Sequence, residues 1–212
     1  WSSDVCLPIS DVHIITDPKV AKLFADETRR RMLRVLSHHE LSATDLAKRL
    51  EKNHSSIVHH LNMLLEAGLI EITRNEQVRN MIQPFYRSIS REFHVSYRIN
   101  EVLEEDPDYS AWTEGYLQRL LLGLEQYSIE LPDEDKARVK ELLRQSHLFL
   151  KRAYEERVIK WTENRDVGKY PSRVIGRIMS DVQLSASEEY WEILRKLREI
   201  LNKYSGAPWD VE

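Results

Sequence analysis

Three histidines, His54, His59 and His60, fall inside the run NHSSIVHHLNMLLEAGLI from Asn53 to Ile70, interleaved with Ser55, Ser56 and Asn62. Side chains of these types can ligate a metal, move a proton or hydrogen-bond to another surface. Chelation from one helix needs ligands three or four positions apart, so that they share a face. His59 and His60 are adjacent and point about 100° apart, which argues against zinc. His38 and His39 close a predicted helix, where the dipole favours an imidazole. Cys6 is the only cysteine, so one chain can form neither a disulfide nor a multi-thiolate metal site. Catalytic signatures are also missing: there is no G-x-S-x-G, no glycine-rich phosphate loop and no H-E-x-x-H, and only six glycines in all. The acidic clusters at 104–108 and 133–135 sit where a chain break and a helix start account for them. These residues predict neither an enzyme nor a cofactor. Hydrogen bonding to a surface is the chemistry that remains.

That chemistry needs a scaffold, and 212 residues with 42% hydrophobic and 31% charged side chains suffice for one large domain or two small ones. The longest apolar runs, such as LLLGL at 120–124, fall far short of the roughly 20 residues of a membrane span. A cytoplasmic protein with no membrane partner is expected. The net charge of −4 is unevenly distributed. From Asp17 to Asn100 there are fourteen Lys and Arg against ten Asp and Glu, and elsewhere seventeen against twenty-five. Positive charge therefore accompanies the histidine-bearing stretch.

Helix signals follow one another closely there. Asp17-Pro18 supplies a cap acceptor and then a proline at the first helical position, predicting a short helix through Val20, Leu23 and Phe24. Asp26 caps a second helix that buries Met32, Leu33, Val35 and Leu36. Ser42 with Asp45 forms a capping box, flanked by Leu41 and Leu46 as a hydrophobic staple. Glu51 and Lys52 alone separate the end of that helix, near Leu50, from Asn53, the predicted cap of the next, with Ser56 at its third helical position. Two helices joined by so tight a turn form a helix-turn-helix. Gly68 stops the second one. LIEIT then alternates as a strand, residues 75–80 make a polar tip, and IQPFYRSIS returns as a second strand that Pro84 either demotes to an edge or breaks locally.

On a helical wheel Ile57, Leu61, Leu64 and Leu65 share one arc, while Ser55, His59 and Asn62 lie opposite, flanked by Ser56 and Met63. The apolar arc must pack on the preceding helices. The polar arc faces outward beside a ribbon carrying Arg74 and Arg79. Small hydroxyls admit a helix to a major groove, Asn and His reach base edges, and ribbon arginines grip phosphate or the minor groove. His60 leans inward and is expected to be a partly buried, hydrogen-bonded residue.

In their order and spacing DETRRRMLRVL, LSATDLAKRL, SSIVHHLNMLLEAGLIE and the strand pair beyond resemble the winged-helix domain of ArsR-type transcriptional regulators. The pattern S-x-[VI]-x-x-H-L, then L-x-x-A-G-L-[VI], is met by Ser55, Ile57, His60 and Leu61, then Leu65, Ala67, Gly68, Leu69 and Ile70. With ITDP ahead of it, the combination most resembles archaeal ArsR-like regulators that carry a helical C-terminal extension. The likeness covers roughly residues 14–99. It implies a homodimeric transcription factor that binds double-stranded DNA, with Ser55, Ser56 and His59 on the bases and Arg74 and Arg79 as wing contacts. Asn53, His54 and Asn62 complete the expected recognition-helix set. Where metal-sensing members carry thiolates, this chain has Ala43-Thr44-Asp45-Leu46, and the last helix lacks histidine. Soft-metal sensing is not expected.

The alternative is a winged helix that binds protein without reading DNA, since fold alone does not determine function. Such a surface should display large apolar anchors, and on the outward arc only Met63 qualifies. Beyond Asn100 the pattern turns helical, at roughly 109–129, 133–163, 172–183 and 186–204. The expected organisation is a winged helix-turn-helix DNA-binding domain at 14–100 and an all-helical domain at 108–205, giving a mainly α fold with a small β wing. Tyr190, Leu194, Leu197, Leu201 and Tyr204 repeat at four, three, four and three, the seam of a coiled coil, and are expected to pair two subunits. Trp112, Tyr116, Tyr154, Trp161 and Trp191 are expected to build the helical core, with an effector pocket left open.

Overall fold

The computed structural model describes residues 10–78, 80–159 and 169–205. The chain divides into two compact units, Trp1–Tyr109 and Ser110–Glu212. The first unit carries the expected caps. Asp17 accepts from the Lys19 amide at 2.8 Å and starts α1 (Pro18–Lys22), and Asp26 accepts from the Arg29 amide at 2.8 Å and starts α2 (Glu27–Leu36). Arg29 and Arg30 then reach back to the carbonyls of Leu23, Phe24 and Ala25. Those bonds hold the turn between the two helices. The capping box of α3 (Ala43–Leu50) is complete: Ser42 Oγ accepts from the Asp45 amide at 3.2 Å, and the Asp45 carboxylate accepts from the Ser42 amide at 3.2 Å.

Glu51 makes the turn in the left-handed region at φ 54°, and Lys52 N–H bonds Ala47 C=O at 3.0 Å. Then α4 (His54–Glu66) begins. Asn53 occupies the cap position with extended backbone but makes no side-chain capping bond, so here the expectation fails. The first-turn donors of α4 face solvent, where water can satisfy them. Gly68 adopts φ 67° and ends the helix as expected. Ile57, Leu61 and Leu64 are buried, and α4 packs on α2 and α3, where Met32, Leu36, Leu46 and Leu50 are buried as well. Each such side chain contributes about 1.5–3 kcal/mol by leaving water.

The wing comprises β2 (Leu41–Ser42), β3 (Ile70–Val78) and β4 (Met81–Ser88), in antiparallel order β2-β4-β3. It is longer than the sequence pattern indicates. Asn75, Glu76 and Gln77 pair with Pro84, Gln83 and Ile82, so these residues are strand rather than tip. The strand that carries Pro84 is thus the middle one, which corrects the expectation of an edge strand; the proline is tolerated because β2 reaches only Phe85 and Tyr86, and among the described residues no strand pairs with Pro84 on that side. Two further strands, β1 (Ser10–Ile15) and β5 (Ser90–Val95), pair in parallel and have no counterpart in the sequence reading. Their partners lie about eighty residues apart, beyond any local signal.

The unit ends with α5 (Asn100–Glu104) and the start of α6 (Pro107–Leu124). Asp106 accepts from the Tyr109 amide at 3.0 Å and pairs with Lys22 of α1 at 2.9 Å, so one acidic residue of EEDPD both caps a helix start and closes an ion pair within the first unit. The second unit contains the rest of α6, α7 (Asp133–Ala153) continuing as a π-helical turn over Tyr154–Ile159, α8 (Lys169–Leu184) and α9 (Glu188–Asn202). The expected fold class, a winged helix-turn-helix followed by helices, is what the chain adopts.

The seam of α9 closes within its own chain. Leu197, with Ile193 and Ile200, buries against Val139 and Leu142 of α7, and Leu194, Leu201 and Tyr204 border the same cluster. Tyr190 packs with Ala153 and Leu184. The Tyr204 hydroxyl donates to Asp135 at 2.7 Å, fastening the end of α9 to the start of α7. The assignment of these five residues to subunit pairing is therefore corrected: the heptad spacing is real, but α7 of the same chain fills it. Among the described residues no helix is long and apolar enough to cross a membrane.

A candidate nucleic-acid interface

The outward side of α4 is a continuous polar strip. His54, Ser55, His59, Asn62 and, beyond the predicted set, Glu66 are exposed, with Asn53 exposed at the cap position and Ser56 half-buried at the margin. Helical periodicity puts Ser55, His59, Asn62 and Glu66 on the side opposite the buried Ile57, Leu61 and Leu64, whereas His54 falls on the apolar side of the wheel and is exposed because the helix begins there. Glu66 was overlooked although it lies on the same arc. Its carboxylate repels phosphate and can accept from a cytosine amino group.

Behind the strip His60 is half-buried, its ring centroid 5.7 Å from that of His59. Its Nδ1 is buried and has no hydrogen-bond partner among the described residues, which corrects the expectation of a hydrogen-bonded ring. Burial holds the His60 pKa below the usual imidazole value, the neighbouring Asp26 opposes this, and Arg29, His59 and Lys52 reinforce it. Burial thus favours the neutral form of the ring. Met63 is also drawn inward, its sulfur 3.7 Å from an Arg29 nitrogen, which removes the one apolar anchor from the outward arc.

Positive charge gathers around the turn that leads into α4. Lys48 and Arg49 are exposed in the last turn of α3 and Lys52 is exposed in the turn itself, with Arg49 3.2 Å from His39 Nε2. These residues were missed because the sequence reading sought cations on the ribbon. Their signal was present, as three cations within five positions just ahead of α4.

The ribbon differs from expectation. Arg74 lies in mid-strand opposite Phe85, next to a register shift, rather than at the tip. Its guanidinium pairs with Glu40 and Glu76 and sits 3.7 Å over the Phe85 ring. The expectation that it stands at the ribbon tip is corrected accordingly, and two carboxylates hold its charge where it lies. Arg79 lies outside the described residues. The described tip is instead apolar: Val78 pairs with Met81, and Met81 and Ile82 are each 74% exposed.

No group of three His, Cys, Asp or Glu stands close enough to hold a metal among the described residues. In the second unit a shallow groove between α6 and α7 is lined by Gln118, Leu121, Asp133, Lys136, Ala137 and Lys140, and by none of the candidate pocket aromatics. Tyr116 packs on His147 at 5.2 Å, and the Trp191 indole N–H donates to Ser185 C=O at 3.1 Å. Trp161 is outside the described residues.

Comparison with known proteins agrees with this geometry. Residues 24–73 match the family described as a helix-turn-helix domain, the span from the turn before α2 to the first residues of β3. Over 58 residues, 27% of this chain, the protein is 38% identical to the transcriptional repressor SdpR of Bacillus subtilis (strain 168). The match spans 64% of that relative, so the likeness concerns part of each chain.

Proposed function

We propose that this protein is a cytoplasmic, DNA-binding transcriptional regulator of the ArsR-like class, most like archaeal members with a helical extension. It binds a near-palindromic operator as a homodimer. The observation that carries this reading is the outward arc of α4, where Ser55, His59 and Asn62 offer hydrogen-bonding side chains on a rigid helix seated over a buried apolar face, with Asn53 and His54 exposed at its start. The likeness to a transcriptional repressor supports the same reading. In the proposed mechanism α4 enters the major groove, Ser55, Ser56 and His59 meet base edges, and Lys48, Arg49 and Lys52 grip phosphates beside it. Arg79 serves as a wing contact on sequence grounds. The first unit reads DNA, and the second pairs subunits and holds any effector. Metal release through thiolates is not part of the mechanism.

Selection of bound duplexes from a random pool tests the reading. Enrichment of a near-palindrome with half-sites one helical turn apart, roughly 10 base pairs, is expected. An unenriched pool overturns it. One observation favours a second reading, a winged helix that binds protein: Met81 and Ile82 give the wing a strongly exposed apolar end of the kind used as an interface anchor.

A further inference from the structure

The helix α8 has apolar residues where a solvated helix carries charge. Its inner side is small: Gly176 and Ser180 are buried, the Ser180 hydroxyl bonds Gly176 C=O at 3.1 Å, and Leu184 follows them into the core. This side packs on α7 and the π-helical turn. The opposite arc carries Val174, Ile175, Ile178, Met179 and Val182, with Tyr170 beside it, and each of the six is between 40% and 77% exposed. The only charged residues from Val174 to Val182 are Arg177 and Asp181, at one flank and paired with each other at 3.2 Å. A helix that is apolar on both sides belongs to an interior. Since α9 is seated on α7, this arc is the face of the second unit that asks for a cover.

We propose that the cover is a second copy of this chain, with the two α8 helices lying antiparallel across a two-fold axis that passes between Ile178 and Met179. This rests on the homodimer of the proposed function and assigns its surface. Three features favour a second copy over other occupants. The stripe is self-complementary: about that axis Ile175 meets Val182 of the second copy and Ile178 meets its Met179, so no apolar position faces a charge. The flank is self-complementary too. A two-fold axis keeps like flanks together, and Arg177 then lies about one residue rise, roughly 1.5 Å along the axis, from Asp181 of the second copy. The size also fits. Six large side chains on one helix make a patch on the order of 300–600 Å², and two such patches closing on each other approach the roughly 1,200 Å² at the low end of stable interfaces. A membrane-surface helix would show a polar face crowded with Lys and Arg, whereas α8 has three basic residues, Lys169, Arg173 and Arg177, the last of them paired with Asp181.

The test uses the full-length chain. Sedimentation velocity should find the wild type dimeric and both Ile178→Lys and Ile178→Glu monomeric. Mixing the two variants should restore a one-to-one dimer in native mass spectra, which misfolded chains could not do. In a Cys6→Ser background, Ile178→Cys should oxidise to a covalent dimer and Arg198→Cys on α9 should not. A monomeric wild type, an Ile178→Lys variant that stays dimeric, or lysine and glutamate variants that do not recombine overturns the assignment. So does binding to vesicles of anionic phospholipid that Ile178→Lys abolishes while the oligomeric state is unchanged. The two proposals fail separately. An α8 dimer that enriches no duplex removes the DNA reading alone, and an enriched palindrome bound by a dimeric Ile178→Lys removes this interface alone.

Discussion

Arg74 reaches back from the middle of β3 to Glu40, in the connection between α2 and β2, and so ties the wing to the helices behind it. With Glu76 beside it and the Phe85 ring beneath, the guanidinium is a structural clasp. Exposed pairs of this kind contribute little to global stability, typically 0.2–1 kcal/mol, but they restrict how the ribbon leans.

Arg74→Ala should therefore leave the dependence of log affinity on log salt nearly unchanged. Lys52→Ala should flatten it by about one unit for each lost phosphate contact, counted over the dimer. Amide hydrogen exchange should show the second half of the effect, with faster exchange in β3 and β4 on loss of Arg74. A flattened salt slope in Arg74→Ala would return this residue to the phosphate-contacting set.

Ser55→Ala and His59→Ala should each cost about 1–3 kcal/mol on the selected site and little on random duplex, because both lie on the outward arc of α4 that the proposed mechanism sets against base edges. Fluorescence anisotropy with the two duplexes separates the terms. Equal losses on both would mean that these residues position the backbone, and unchanged binding with loss of a protein partner would favour the interaction module.

His60 predicts a pH effect on folding. Burial lowers its pKa in the folded state, so the unfolded chain binds the extra proton first. Stability from this residue is present above the unfolded value near 6.5 and is lost as pH falls below it. Thermal melts between pH 7.5 and 5.5 should show a falling midpoint, and His60→Leu should reduce the slope. A wild-type midpoint that rises on acidification would reverse the sign and contradict the burial argument.

Gly68 tests the junction between α4 and the wing. It adopts φ 67°, and a methyl group added there would meet nothing within 4 Å, so the cost of Gly68→Ala is backbone strain without a clash. About 1–2 kcal/mol of destabilisation is expected in urea unfolding, with Gly68→Asn closer to the wild type. A neutral Gly68→Ala would mean that the junction relaxes out of the left-handed region.

The sequence alone determined the elements whose cause is local. Asp17, Asp26 and the Ser42–Asp45 box begin helices because their oxygens meet amides two or three residues on, and Gly68 ends one because it tolerates a positive φ. The outward set on α4 was legible for the same reason: once Ile57, Leu61 and Leu64 are taken as core, periodicity decides what faces out. Periodicity cannot say what covers an apolar face. Tertiary structure decided that α9 lies on α7 and that the arc on α8 is left uncovered, since both are amphipathic and the outcome depends on which surfaces meet. It decided as well that the ribbon stays paired to Val78 and Met81, that β1 joins β5, and that Arg74 turns toward Glu40. The last two join residues far apart in the chain, and in all three cross-strand hydrogen bonds or opposite charges act through space and leave little trace in the spacing of neighbouring residues.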